Sequence, residues 1–153
     1  MRHEILLLAI ILVLVITEIF IHHNKKGSIV HLAIFLFAIH TAVGFFAIDE
    51  SSLFGGMFHT NNLIHFFKNV LNVGVLILLL QSADWIQEKI VQQNRGTEFF
   101  ILLFSSLLGM YFMISSGDFL MFYLGLELST LPVAALASYE TTKRISSEAG
   151  IKL

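Results

Sequence analysis

The chain has 153 residues, 56% of them hydrophobic and 13% charged, with one proline, no cysteine, a formal charge of −2 and a mean hydropathy of +0.82. This composition excludes a soluble domain, a disulfide framework and a thiolate metal site, and it offers no basic surface for nucleic acid. The apolar residues fall in blocks near the length that crosses about 30 Å of hydrocarbon, and the alternation of barrel strands is absent. The expectation is an all-α membrane protein, a single domain with the lipid bilayer as its surroundings.

In chain order, the expected spans are 5–21, 29–48, 63–82, 98–115 and 118–139, with a sixth helix beginning at about 147. The opening MRHEILLLAI resembles a secretory signal, but no A-x-A-like cleavage site follows. Glu18 stands near the end of the first span beside HHNKKG, where it can reach the interface or pair with Lys25 or Lys26; His22 and His23 belong to that headgroup-contacting loop. In the second span His31 and His40 are nine residues apart and point to opposite helix faces, so they cannot share a metal. His40 suits an interhelical hydrogen bond or a proton relay. The acidic loop DESSLFGG follows.

The third span is polar at its entry, with His65, Lys68, Asn69 and Asn72, and Lys68 is placed to snorkel. SADWIQEKIVQQNRGTE then reads as a polar linker with Trp85 as an interfacial anchor. Ser105, Ser106 and Gly109 mark a packing face on the short fourth span. Only SSGD separates it from the fifth, and Asp118 is placed to cap that helix.

The fifth span, DFLMFYLGLELSTLPVAALASY, sets Glu127 near its middle. Its nine Leu, Phe and Val residues contribute roughly −3 to −5 kcal/mol towards insertion, and one central charge costs about +2.5 to +3.5. The two nearly cancel. Glu127 should therefore avoid lipid, either protonated or facing a neighbouring helix or water, and an intramembrane acid is by default a functional candidate. Pro132 lacks an N–H and leaves the carbonyl of Leu128 without its intrahelical partner, one turn from that acid; membrane helices also tolerate proline with no functional reason.

Lys25, Lys26, Lys89, Arg95, Lys143 and Arg144 all fall in loops after odd-numbered spans, and the loops after the second and fourth carry no Lys or Arg. The positive-inside rule then sets the N-terminus outside. SSEAGIKL begins a helix too short to cross the bilayer, so the chain reads as incomplete.

The run GDFLMFYLGLELSTLPVAALASY followed by SSEAGIK resembles the N-terminal part of subunit N of the proton-translocating NADH-quinone oxidoreductases, bacterial complex I, one of the antiporter-like subunits. The specific core is D-hydrophobic-x-x-FYLGLEL-x-x-LP, then S-x-EA-x-IK, spanning about residues 97–153. The resemblance implies that Glu127 is an acid pairing with a lysine beyond this chain in proton translocation, and that Lys152 matches the family's IK lysine. It implies no cofactor in this chain and other membrane subunits of complex I as partners. Glu127 lies about 18 Å from the Tyr139 end of its helix and Lys152 about 9 Å into the next, so a water chain suits them better than direct pairing. Two further readings stay open: a structural or assembly subunit in which Glu127 only donates a hydrogen bond, and a component of an Mrp-type sodium/proton antiporter.

Overall fold

The structure, a computed structural model, describes residues 1–20, 27–46, 51–93, 96–138, 148 and 151. Among the described residues five helices run in alternating directions: α1 (Arg2–Phe20), α2 (Gly27–Gly44), α3 (Asn62–Gln93), α4 (Gly96–Ile114) and α5 (Phe119–Ala137). Between α2 and α3 lies an antiparallel hairpin of β1 (Ser51–Leu53) and β2 (Phe58–Thr60), in register Ser51 to Thr60 and Leu53 to Phe58. The sixth helix expected from about 147, with Lys152, lies almost wholly outside the described residues, as do His22, His23, Lys25, Lys26, Lys143 and Arg144.

Four helices, α1, α3, α4 and α5, are long and apolar enough to cross a bilayer. The apolar part of α2, Ile29–Gly44, is shorter, about 24 Å at 1.5 Å per residue. Two side chains close its C-terminus: Arg2 donates to the carbonyls of Val43 (3.0 Å) and Phe46 (2.6 Å), and Asn69 donates to that of Gly44 (2.8 Å). A helix end leaves carbonyls without partners, and these donors answer them inside the protein.

α3 corrects the expected linker. It continues through SADWIQEK to Gln93 as one helix of 32 residues, about 48 Å long. The reason is local: no glycine or proline interrupts the chain between Gly74 and Gly96, and Gln, Glu, Lys and Ala are good helix formers. Polarity there marks the exit from hydrocarbon, not the end of the helix.

The core joins one stripe from each of the first four helices. Leu7, Ile10 and Leu14 of α1 meet Ile29, Val30, Ala33 and Phe37 of α2, Leu79 and Ile86 of α3, and Phe100, Phe104 and Leu107 of α4. The rings of Phe37 and Phe104 stack with centroids 5.0 Å apart. Outward faces carry exposed Ile5, Leu8, Leu12, Ile77, Leu78, Leu120 and Leu131, the surface that lipid would cover. α5 packs chiefly on α4. The approach is closest where a Cβ on Gly109 would stand 2.4 Å from the Ser129 backbone nitrogen and one on Gly125 would stand 2.7 Å from that of Met113. Ser106 Oγ donates to the carbonyl of Ser129 at 3.0 Å, so the small-residue face of α4 is a backbone-to-backbone contact.

The hairpin lies across the end of the bundle where α1 and α3 begin and α2 and α4 finish. His59 N–H donates to the Ser115 carbonyl (2.8 Å) and Gly117 N–H to the Met57 carbonyl (2.7 Å), tying it to the α4–α5 turn. A Cβ at Gly117 would stand 1.9 Å from the Gly56 carbonyl oxygen. Gly55 and Gly56 take the positive φ values, 66° and 97°, that turn the hairpin.

Candidate functional site

Two of the acids carried by the helices, Glu127 and Glu4, stand in opposite settings. The first is Glu127. On α5 the residues that meet α4 are Gly125, Ser129 and Pro132, all buried. Glu127 is two residues from both Gly125 and Ser129, about 200° around the helix, and so points away from α4. It is half-buried, beside Tyr123 one turn earlier, whose hydroxyl hydrogen-bonds its carboxylate. Asp118 starts the helix as its N-cap, accepting from Met121 N–H at 2.8 Å. Pro132 stands in an unbroken helix, on the face that α4 covers.

The second is Glu4, which the sequence did not single out. Glu4 is buried in the first turn of α1, and Lys68 Nζ donates both to its Oε1 and to Oγ of Ser115, just past the end of α4. Lys68 is 2% exposed and therefore does not snorkel. The hairpin is the physical reason: Phe58, fully buried, sets its ring 5.1 Å from Nζ and closes the route along which the side chain would reach water.

Around this pair the polar entry of α3 becomes an interior surface. His65, Lys68, Asn69 and Asn72 recur at intervals of three and four and present one face inward. His3 Nε2 lies 2.9 Å from His65 Nδ1 and shares a proton with it. Tyr111 O–H donates to Asn72 Oδ1, and His40 Nε2 lies 3.2 Å from the same phenolic oxygen. Since the Tyr111 proton is committed to Asn72, His40 is the donor there. His31, by contrast, is exposed on the opposite face of α2. Beside His40, the structure buries Glu4, His3, Lys68, Asn72 and Tyr111 at this end of the bundle. The signal for them was the polar spacing on α3, together with two ionisable residues at the head of α1.

α4 separates the two acids. It offers Tyr111 to the cluster and Gly109 to α5, two residues apart and so about 200° around the helix. Among the described residues no group of three or more His, Asp or Glu side chains is arranged to hold a metal ion.

No protein-family model matches the chain. Curated proteins do. It is 36% identical to NADH-quinone oxidoreductase subunit N of Phocaeicola vulgatus over 152 residues, covering 99% of this chain and 32% of that protein. It is 33% identical to the subunit N of Azobacteroides pseudotrichonymphae over 153 residues, 99% of this chain and 32% of the relative. It is likewise 33% identical to that of Rhodospirillum rubrum, covering 97% and 31%. The chain spans about a third of the length of these relatives. The similarity extends through the whole of the chain and so includes the hairpin and the polar cluster as well as the Glu127 helix. Along nearly all of its own length the chain matches a fragment of NADH-quinone oxidoreductase subunit N.

Proposed function

We propose that the chain serves a membrane subunit of a proton-pumping NADH-quinone oxidoreductase, in which Glu127 carries protons across while quinone is reduced elsewhere in the complex. The observation that carries this reading is the placement of Glu127. An acid midway along an apolar helix points away from α4, the helix it chiefly packs against, and the partner described for it is a hydroxyl on its own helix, Tyr123, which leaves its charge without a cation among the described contacts. The names of the relatives supply the class of assembly. Lys152 extends the path as a second proton-carrying group on the following helix, reached from Glu127 through water. Pro132 frees a backbone carbonyl one turn away on the α4 side.

The orientation in this reading follows the basic residues. Lys25, Lys26, Lys143 and Arg144 face the cytoplasm of a bacterial inner membrane, and the N-terminus, with the hairpin, faces the periplasm. Single cysteines at the Lys25 and Lys143 loops should resist an impermeant thiol reagent applied to intact cells; labelling there reverses the orientation.

The decisive test is Glu127→Gln in the otherwise complete complex. Glutamine keeps the shape and a hydrogen bond but cannot titrate, so assembly should persist while proton pumping and coupled quinone reduction fall. Full pumping by the assembled variant would remove Glu127 from the path.

A further inference from the structure

We propose that Glu4 and Lys68, with the histidines around them, form an internally hydrated proton-exchange site at the hairpin end of the bundle, separate from Glu127. The first support is energetic. An ion pair withdrawn from water is commonly no more stabilising than well-packed apolar side chains of the same volume, so burial of this pair is not explained by stability alone. Glu4 and Lys68 are 4% and 2% exposed.

The second support is the pattern of unpartnered atoms. Among the described residues, the buried side-chain polar atoms that lack a hydrogen bond are Arg2 Nε, Glu4 Oε2, His40 Nδ1, Thr60 Oγ1, His65 Nε2, Asn69 Oδ1 and Asn72 Nδ2. Every one belongs to this end of the bundle. Such atoms cost free energy unless answered, and this set mixes donors (Arg2, Asn72) with acceptors (Glu4, His40, Asn69). Water, which both donates and accepts and requires two to four polar neighbours, is the ligand that fits the mixture.

The third support is continuity. His3 touches His65 by its shared proton and lies against His40 and Tyr111, with ring centroids 5.6 and 5.9 Å away. His40 donates through Nε2, so its Nδ1 keeps an open lone pair. The charged and titratable groups facing Glu4 are the Met1 amino group 3.7 Å from Oε2, Arg2 and His3 from α1, His40 from α2, His65 and Lys68 from α3, and Tyr111 from α4. The hairpin adds the Phe58 ring, and no titratable group of α5 reaches the pair among the described residues.

Proton uptake forms an O–H bond at Glu4 Oε2 and converts a hydronium ion in the enclosed water to water, leaving Lys68 as the ammonium; release reverses the step. His65 is half-buried and stands one turn after the exposed Asn61. The site does not depend on the role given to Glu127, because it is read by the protonation of Glu4 itself.

The test is an infrared pH titration of the full-length protein in lipid vesicles. Acidification should convert a carboxylate band to a carboxylic-acid band that shifts in D2O and is lost in Glu4→Gln. Lys68→Met should move its midpoint to higher pH, since removal of the cation favours the neutral acid. Glu127→Gln should leave the band in place. A Glu4 that stays ionised at every pH where the protein is folded, or a midpoint indifferent to Lys68, overturns the proposal. Nitrogen-15 NMR of the histidines reads the same site without substitution: His40 should be the Nε2–H tautomer, with Nδ1 in contact with water. A dry Nδ1 overturns it equally.

Discussion

Glu4 and Glu127 show how differently a membrane helix can carry a charge. Glu4 is enclosed by four helices and a hairpin, with its cation supplied from within the chain. Glu127 rides on the one helix that packs chiefly against a single neighbour, and it faces away from that neighbour. Low dielectric penalises both, but the first is compensated by a buried cation and the second, among the described contacts, by a hydroxyl of its own helix. Substitutions at the first should therefore disturb the fold of this chain, whereas substitutions at the second should disturb only what the chain joins.

The largest effect is expected from Lys68→Met, which leaves Glu4 buried with only the Met1 amino group, 3.7 Å from Oε2, as a cation and should cost about 3–5 kcal/mol in denaturant unfolding of the detergent-solubilised protein. Adding Glu4→Gln to it should recover most of that loss. If the single and double variants are equally unstable, the pair is not the organising contact described. Next is Gly109→Ala, whose methyl would overlap the Ser129 backbone. It should separate α4 from α5 at a cost of about 1–3 kcal/mol, read as lower unfolding resistance and faster proteolysis of α5. Asp118→Ala removes the cap on Met121 N–H and should cost about 1 kcal/mol by the same assay. Smallest is Glu127→Gln, expected to change the stability of residues 1–153 by less than about 0.5 kcal/mol. A large loss there would mean that Glu127 holds this chain together, and the contrast between the acids would collapse.

Much of this was legible in the sequence, and for identifiable reasons. Helices in lipid must satisfy their own backbone, so apolar blocks map onto helices with little competition, and the Asp118 cap and the Gly109 face follow from local chemistry. What escaped was decided by the hairpin. DESSLFGG looked like a solvated loop, yet Phe-Gly-Gly turns β1 back onto β2, and that fold places Phe58 over Lys68. A lysine near a helix start is free to snorkel only when nothing covers the end, and coverage is a tertiary property that spacing along α3 could not reveal. The extension of α3 was missed for a simpler reason: loss of hydrophobicity was taken for loss of helix, although nothing in Ser82–Gln93 breaks one.

The cross-links between the hairpin and the α4–α5 turn carry a kinetic consequence. Because His59 and Gly117 donate to Ser115 and Met57 respectively, neither segment can peel away without releasing the other. Their amides should therefore exchange with deuterium as one unit, at a rate set by a joint opening of the bundle end rather than by fraying of a surface loop. The hairpin would then behave as a latch: the Phe58 ring lifts from Lys68, and the first turn of the Glu127 helix comes loose, in the same rare event.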